Sequence, residues 1–484
     1  MGAGVVSADF AARPLPDRLC CVAPRRGWYY TQSFLSHKPL PVSGPEAKPI
    51  EAAIIPRSDH RISRANISDN ALKVLYRLKN AGFEAYLVGG GVRDLSLGRE
   101  PKDFDVATDA HPEEVKALFR NCRLIGRRFR LAHVHFGPEI IEVATFRALH
   151  DPSADEAPEG DAAAVAFEDG RIVRDNVYGT LEEDAFRRDF SVNALYYNIA
   201  DFSIVDHVDG MADLERGLIR LIGDPGVRYR EDPVRMLRAV RFAVKLGFRL
   251  EEETARPLPE MAPLLEQVPP ARLFDEVLKL LLGGMGLETF EMLRHHGLFA
   301  VLFPQTEASL DRDEHGTALA FISRALDNTD RRIAEGKPVT PAFIFAALLW
   351  PVVREQMGEL MDDEARSPNV AVQEAGREVH EAQLQRVTLP KRFGVPMREI
   401  WNLQPRLERR NRRALRLLSH PRFRAAYDFL LLRAEVHEVE QEAADWWTEA
   451  QRGEEGDGQP QSGDQAPPRR RRRRGRRSKS DTSG

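Results

Sequence analysis

The sequence predicts an α+β protein, in which an N-terminal part with a mixed or antiparallel sheet is followed by an all-helical part. Short apolar runs typical of strands occur before residue 206, for example at 85–88 and 140–147. From residue 270 to 447 the apolar residues recur at helical spacing almost throughout. With 484 residues, of which 42% are hydrophobic, the chain is long enough for two or three domains.

The same patterns divide the chain into five predicted segments. The first residues are rich in proline and lack periodicity, and the last are rich in Gly, Glu, Gln and Pro, so both ends are predicted to be disordered. Between them we expect a sheet-bearing head, a helical neck and a helical body with an arm. The predicted bounds are 1–60 for the extension, 61–205 for the head, 206–270 for the neck, 271–450 for the body and arm, and 451–484 for the tail.

Two helices are predicted in the first half of the head. Ser68 precedes a helix from about Ala71 to Ala81, because a serine side chain can accept a hydrogen bond from the first turn. A second helix is expected from Ala110 to Arg120, with Pro112 in its first turn, where proline is tolerated. Both helices should pack on the sheet.

Between these helices, two aspartates follow a glycine-rich turn. An apolar run at 85–88 enters the triplet Gly89-Gly90-Gly91, and Asp103 and Asp105 lie in a following strand. Side chains two residues apart on a strand share a face, and two carboxylates on one face repel unless a cation lies between them. Hard ions such as Mg²⁺ take oxygen ligands, and glycine backbone can approach phosphates closely. Taken separately, such a pair can be solvated and such a triplet can be only a turn.

The residues 87–108, LVGGGVRDLSLGREPKDFDVAT, resemble the signature of the nucleotidyltransferase superfamily, in the class II branch of bacterial poly(A) polymerases and tRNA CCA-adding enzymes. Neither a dinucleotide-binding G-x-G-x-x-G motif nor a P-loop is present. The resemblance implies that Asp103 and Asp105 hold two Mg²⁺ ions, with Mn²⁺ as the alternative. It also implies that Gly89, Gly90 and Arg93 surround the triphosphate of ATP.

A basic segment at 124–134, LIGRRFRLAHV, interleaves arginines with Phe129. Charge beside an aromatic plane suits a phosphate backbone and a stacked base, although a solvated edge strand has the same composition. The segment resembles the one that separates poly(A) polymerases from CCA-adding enzymes. This likeness favours the poly(A) polymerases.

A third carboxylate near the aspartate pair has two candidates. Glu142 lies on a strand that could run beside Asp103 and Asp105. Asp189 belongs to RRDFSVNAL, which resembles the second class II motif and implies a catalytic role for Asp189 in preference to Glu142. The alternative for Asp189 is a structural salt bridge. In the same motif, Arg187 and Arg188 can hold phosphates and Asn193 can bond a ribose hydroxyl.

The neck carries three arginines, Arg235, Arg238 and Arg241, at a spacing of three residues on one predicted helix. Like charges on one helix face are unfavourable unless anions face them, so this face is expected to meet phosphates or a base. Asp232 accepts and Arg235 donates hydrogen bonds, which together match the edge of a nucleobase. EDPVR at 231–235 resembles the base-reading motif of class II enzymes; capping and salt bridging is the alternative.

The helical part and the tail are expected to bind RNA. A basic stripe runs along the arm, and 469–479 add nine positive charges, without which the chain would carry −13 rather than −4. A basic tail on an acidic body suits a polyanionic partner or serves only as a solubilising terminus. The predicted helices of this part are Arg272–Leu282, Gly286–His296, Thr317–Asp327, Pro341–Trp350, Gln373–Val387, Arg412–Leu418 and Arg424–Ala444.

Taken together, the resemblance implies template-independent extension of RNA 3′ ends by AMP from ATP, with release of pyrophosphate. The rival functions are CCA addition to tRNA and a non-catalytic RNA-binding scaffold. RNA-decay or RNA-chaperone proteins are further expected partners. Three cysteines fit neither a disulfide framework nor a zinc site, and no apolar stretch could span a bilayer, so a cytoplasmic location is expected.

Overall fold

The structure is a computed structural model, which describes residues 52–126, 130–148, 165–168, 171–175, 177–362 and 366–457. Most of the two termini that were predicted to be disordered lies outside these residues, as do Arg127, Arg128, Phe129 and the arginine-rich tail. Two stretches contradict the predicted disorder: residues 53–55 form an edge strand whose Ile55 packs against the core of the head, and residues 451–457 continue a helix that begins at Gln441.

The predicted α+β class is confirmed. The strands are β1 Ala53–Ile55, β2 Ala85–Val88, β3 Asp105–Thr108, β4 Cys122–Ile125, β5 Leu131–Phe136, β6 Glu139–Thr145, β7 Val165–Glu168, β8 Arg171–Asp175, β9 Leu195–Asn198, β10 Ile204–Asp206, β11 Leu218–Ile219 and β12 Arg249–Leu250. Eight of these form one sheet in the order β1-β10-β9-β2-β3-β6-β5-β4. Its neighbouring strands are antiparallel except for β3 and β6, which run parallel.

Helices make up most of the remaining described residues. In the head and neck they are α1 Asp69–Asn80, α2 Gly90–Ser96, α3 Pro112–Leu118, α4 Leu181–Arg187, α5 Gly210–Arg216, α6 Pro225–Glu231, α7 Val234–Leu246, α8 Glu252–Ala255 and α9 Leu258–Met261. In the body and arm they are α10 Pro270–Leu281, α11 Gly286–His295, α12 Leu298–Leu302, α13 Pro304–Arg312, α14 Thr317–Ala334, α15 Pro341–Asp362, α16 Pro368–Leu384, α17 Lys391–Leu407, α18 Phe423–Glu435 and α19 Gln441–Asp457.

One face of the large sheet, the apolar face, carries the larger core of this part, and the other carries a smaller buried cluster with Val88, Ala107 and Tyr196 beside several polar side chains. Val106 and Val143 point to the apolar face and join the core that α1 and α3 cover. Because side chains alternate along a strand, Asp105 and Glu142 point to the other face. The parallel β3–β6 pair therefore places two carboxylates side by side on the open face of the sheet.

Local sequence explains why α1 begins where it does. The Ser68 hydroxyl accepts a hydrogen bond from the amide of Ala71 at 3.0 Å, which satisfies one of the free N–H groups of the first turn. Leu75 and Leu78 are fully buried against the sheet, as the apolar stripe requires. The capped start and buried stripe agree with the helix expected from Ala71 to Ala81.

The predicted helices of the helical part differ from the structure in several places. The segments 298–312 and 391–407 were not among the named helices, yet they hold α12, α13 and α17, and α17 runs through Pro396 and Pro405 with Trp401 buried between them. The predicted helix Arg412–Leu418 is a 3-10 helix at Ala414–Ser419. The single helix expected from Arg424 to Ala444 is two helices, α18 and α19, because His437 adopts a left-handed backbone conformation between them.

Among the residues that the structure describes, no helix combines the length and the apolar character needed to cross a bilayer.

Candidate active site

The candidate site begins at the sharp turn between β2 and α2. Gly89 has a φ of 72°, in the left-handed region that favours glycine. A Cβ atom at Gly89 would lie 3.7 Å from Nη1 of Arg188 and 3.9 Å from Oδ2 of Asp105. The absence of a side chain at Gly89 keeps open the space where these two charged groups approach each other.

The two aspartates of the motif occupy different positions from those expected. Asp105 is the first residue of β3, whereas Asp103 precedes the strand and is exposed. The expectation that both lie within one strand was therefore wrong, because pairing with β2 begins at Asp105, opposite Val88. Burial, with the nearby carboxylates of Glu142 and Asp103, raises the pKa of Asp105 to about 6, although Arg188 opposes the shift.

Glu142 lies directly beside Asp105, as its register partner on the parallel neighbour β6. Asp103 also lies near enough to raise the pKa of Asp105. The Asp105 and Glu142 carboxylates suit a divalent ion, because a hard cation would stabilise a buried carboxylate that other carboxylates repel. Within the described residues, no three acidic, histidine or cysteine side chains enclose a metal ion by themselves.

Arg188 borders the carboxylates from the far side of the glycine turn. Its guanidinium donates to Oδ2 of Asp184 at 2.9 Å and to the Tyr196 hydroxyl at 2.7 Å, and that hydroxyl donates to Asp184 at 2.7 Å. Burial opposes the charge of Arg188, but Tyr196 and Asp184 outweigh it and raise the arginine pKa. Arg188 is therefore a fixed positive charge beside Asp105, while Arg187 lies 3.8 Å from Asp184.

A second network links the glycine helix to the neck. Arg93 is buried and donates to Oδ1 of Asn193 at 2.6 Å, and Asn193 donates to Oδ1 of Asp189 at 3.2 Å. The other oxygen of Asp189 accepts two hydrogen bonds from Arg238, one of them at 2.8 Å. Burial opposes ionisation of Asp189, but Arg238 and Asn193 outweigh it and lower its pKa to about 2.

These contacts separate the two candidates for the third carboxylate. Asp189 has the salt bridge that was the structural alternative, and both its oxygens are occupied by groups of the protein. Glu142 has a half-exposed side chain next to Asp105. The preference for Asp189 came from the resemblance alone, because the sequence does not show which arginine meets it.

The arginines of α7 are largely balanced by carboxylates of the chain itself. Glu231 accepts from Arg235 at 2.7 Å and from Arg228 at 2.6 Å, and Asp189 pairs with Arg238. Protein anions therefore already face Arg235 and Arg238, whereas Nε of Arg241 is buried without a hydrogen-bond partner among the described residues. That phosphates or a base meet this face stays a prediction. The spacing of Glu231 to Arg235, four residues on a helical pattern, is the signal that could have revealed the first of these pairs.

Arg228 connects the neck with the second motif of the head. Its Nη2 donates to the backbone carbonyls of Arg187 and Arg188 at 2.6 and 2.7 Å. Burial is the main reason that its pKa falls to about 10. No local sequence pattern identifies Arg228, because the backbone carbonyls that it contacts lie about forty residues earlier in the chain.

The candidate base-reading pair, Asp232 and Arg235, lies at the junction of α6 and α7. Asp232 accepts from Arg272 at 2.7 Å, and Arg235 also donates to the carbonyl of Arg228 at 2.8 Å. Both members of the pair are thus held by neighbouring side chains. Arg272 lies on α10 and was not among the predicted site residues, yet it contacts Asp232.

Three family models match the chain. They are described as the poly A polymerase head domain, at residues 85–220, a probable RNA and SrmB-binding site of polymerase A, at 247–310, and the polymerase A arginine-rich C-terminus, at 364–479. Poly(A) polymerase I of Escherichia coli O6:H1 is 50% identical over 425 residues, which are 87% of this chain and 90% of that protein. The chain belongs to the bacterial poly(A) polymerase family.

Family membership confirms the resemblance and the enzyme class. The chain is a template-independent polynucleotide adenylyltransferase, with ATP as its nucleotide substrate and a divalent metal ion as its cofactor. The CCA-adding enzyme of Lactobacillus helveticus is 39% identical over 222 residues, only 46% of this chain and 52% of that enzyme. A solved CCA-adding enzyme, apo form II, has a TM-score of 0.53 at 20% identity and covers 84% of this chain and 87% of its own. That likeness concerns the fold.

Proposed function

We propose that Asp103, Asp105 and Glu142 hold two Mg²⁺ ions, with Mn²⁺ as the alternative. The surroundings of Asp105 support this assignment, because burial and the neighbouring carboxylates, which raise its pKa, are both effects that a bound cation would offset. When bound, such ions lower the pKa of the attacking hydroxyl and neutralise the leaving phosphates. Asp189, by contrast, is proposed to position Asn193 and Arg238 rather than to contact the reacting atoms.

The triphosphate of ATP is proposed to lie along the glycine turn. Arg188 borders the space that Gly89 leaves open, and Gly90 continues the backbone that faces it. Arg187 and Arg188 supply positive charge at this edge, while Arg93 holds the glycine helix through Asn193. These charges stabilise the developing negative charge of the pyrophosphate without having to move.

Selection of adenine is proposed to depend on Asp232 and Arg235. A carboxylate accepts from the exocyclic amine of adenine, and a guanidinium donates to a ring nitrogen. Because no template strand is present, this edge recognition by side chains must make the choice. Arg238 lies on the same helix as Arg235, and its ion pair with Asp189 ties that helix to the second motif.

In the proposed reaction the 3′-oxygen of RNA forms a bond to the α-phosphorus of ATP. The bond from that phosphorus to the oxygen bridging to the β-phosphorus breaks, and pyrophosphate leaves with the electron pair. The hydroxyl proton passes to solvent. The chain's contribution is to align the two reactants and to keep Arg188 facing the phosphates.

RNA is proposed to extend from the head along the helical body. The arm supports this with exposed arginines that follow α17, and the arginine-rich tail would add salt-dependent attraction. Partners among RNA-decay or RNA-chaperone proteins and a cytoplasmic location stay predictions. So does the division of the chain into head, neck, body, arm and tail.

An RNA-extension assay with each of the four nucleoside triphosphates tests the proposed substrate. Purified protein, Mg²⁺ and an RNA with a generic 3′ end should give long tracts of A from ATP and little product from the other three. Use of CTP on a tRNA that lacks its CCA end would contradict the proposal. The variant Arg235→Ala should lower the preference for ATP over CTP by about 10- to 100-fold, the discrimination expected from one bidentate contact.

Two matched amide substitutions test the choice of third carboxylate. Glu142→Gln should abolish extension while the unfolding midpoint stays unchanged, because its side chain is half exposed. Asp189→Asn should lower stability and affect activity less. The reverse pattern would restore Asp189 as the catalytic group.

A further inference from the structure

A row of polar residues crosses the open face of the sheet beside the catalytic pair. Reading from the edge, Arg123 on β4 pairs with His133 on β5, His133 pairs with Glu142 on β6, and Glu142 pairs with Asp105 on β3. Cross-strand partners on one face have Cβ atoms within about 5.5 Å of each other. His133 is therefore the immediate neighbour of Glu142 on the side away from Asp105.

The imidazole of His133 faces the Glu142 carboxylate. Its Nε2 lies 3.2 Å from Oε1 of Glu142, and the two side chains are 15% and 48% exposed. This nitrogen is shielded from solvent and has no well-aligned hydrogen bond to any described residue. Buried polar atoms are normally paired, and Oε1 of Glu142 is the acceptor that the structure describes beside this nitrogen.

Core packing does not account for a histidine at this position. The buried side chains of β5, Ala132 and Val134, point to the apolar face, and His133 lies on the opposite face. His135 occupies the same polar face two residues further along and pairs with Ile140 rather than with an acidic residue. Position 133 differs from position 135 in one respect that matters here, its contact with Glu142.

We propose that His133 is a positioning residue that orients the Glu142 carboxylate toward Asp105; this rests on the function proposed for Glu142. A glutamate has three rotatable side-chain bonds, and a half-exposed one loses entropy when it is held in a single orientation. With its proton on Nε2, the imidazole can donate to Oε1 once the two groups are aligned, which leaves Oε2 as an acceptor for other groups. Groups that hold a metal-binding carboxylate in this way raise metal affinity.

RNA extension by four variants tests the proposal: His133→Leu, His133→Ala, His133→Gln and the matched control His135→Leu. The measured quantities are kcat, the KM for ATP and the Mg²⁺ concentration for half-maximal activity. The Leu and Ala variants should lose about 10- to 100-fold in kcat and need more Mg²⁺, while the KM for ATP stays within about twofold. His133→Gln should recover most of the activity, because its amide can donate to Oε1. The control should match the unchanged protein.

Normal kcat and Mg²⁺ dependence in the Leu or Ala variant would overturn the proposal. So would equal losses in the Gln and Ala variants, which would indicate shape rather than hydrogen bonding. Urea unfolding of each variant identifies a loss due to misfolding, and the Gln variant then decides the question. Glu142→Gln separates the proposed role of Glu142 from that of His133. If Glu142→Gln is active, the role of Glu142 is refuted. If Glu142→Gln is inactive while His133→Leu is fully active, only the role of His133 is refuted.

Discussion

The open face of the head and the base-reading side of the neck both carry several charged side chains, but their carboxylates differ in how they are paired. In the head, Asp105 lies beside two other carboxylates, and its pKa rises to about 6. In the neck, Glu231 accepts from two arginines, and Asp189 pairs with Arg238. Around Asp105 the effects of burial and of the other carboxylates exceed that of Arg188, whereas Glu231 and Asp189 are paired with arginines.

This difference distinguishes a carboxylate that is available to a ligand from one that stabilises the fold. A carboxylate with a raised pKa costs folding free energy at neutral pH, whereas one with a lowered pKa contributes to stability. Substitutions in the two regions should therefore change activity and stability in opposite ways.

The largest expected effect is the loss of activity on Asp105→Asn. The amide keeps the size of the side chain but removes a negative metal ligand, so extension should fall on the order of 10³-fold or more. Single-turnover extension of a labelled RNA measures it, with RNA binding followed on the same samples. Asp109→Asn, after the other end of β3, is the matched control, because Asp109 accepts from the amide of Glu84 and the hydroxyl of Thr108 through an oxygen that an asparagine also carries. Substantial activity in the Asp105 variant would remove the basis of the site.

The next effect is a loss of stability on Asp189→Asn. Because the folded-state pKa is depressed to about 2, the ionised form stabilises the fold above the ordinary value near 3.8, and this stability is lost as the pH falls through about 2. Breaking the buried pair with Arg238 should lower the free energy of unfolding at pH 7 by about 3 kcal/mol.

Urea unfolding of both proteins at several pH values measures this difference. The gap between the unchanged protein and the variant should close between pH 4 and pH 2. A variant that is equally stable at pH 7 would show that the pair contributes nothing to the neck.

A smaller effect of opposite sign is expected for the stability of Asp105→Asn. A folded-state pKa raised to about 6 means that the charged form is disfavoured in the fold, so the cost is absent below about pH 4 and grows as the pH rises to 6. At pH 7 without metal the variant should be more stable by about 2 kcal/mol. Added Mg²⁺ should stabilise the unchanged protein and narrow the gap. A destabilised variant at pH 7 would contradict the comparison.

The smallest effect concerns an exposed ion pair far from both regions. Arg377 on α16 lies 3.5 Å from Glu378 and 3.8 Å from Glu381, with its side chain 53% exposed. Solvent and salt screen such pairs, so Arg377→Ala should change the free energy of unfolding by less than about 0.5 kcal/mol. Urea unfolding of this variant and of the Asp189 variant compares the two changes in the free energy of unfolding. Equal changes would contradict the expected difference between buried and exposed ion pairs.

The parts of the fold that depend on local pattern could be predicted from the sequence. The cap at Ser68 and the apolar stripe on α1 follow from neighbouring residues, and so does the turn at Gly89. The helix α17 was not among the predicted helices, and its buried face around Trp401 stabilises it in spite of Pro396 and Pro405. Tertiary packing outweighed local propensity there.

The candidate site was predicted unevenly for the same reason. Asp103 and Asp105 lie in a recognisable motif, whereas the place of Glu142 depends on the parallel pairing of β3 with β6. The partner of Asp189 is Arg238, forty-nine residues later, and no periodicity connects them. Charge pairing over such separations becomes visible only when the strands and helices are in place.

The joint between head and neck has a consequence for exchanging parts between relatives. Arg228 donates hydrogen bonds to the backbone carbonyl oxygens of residues 187 and 188, and every amino acid carries such an oxygen. A hybrid enzyme that carries the second motif of a relative therefore keeps these hydrogen bonds, provided that the new segment has the same backbone conformation. The arginine itself has no substitute, since only its planar fork reaches both oxygens and Glu231 at once.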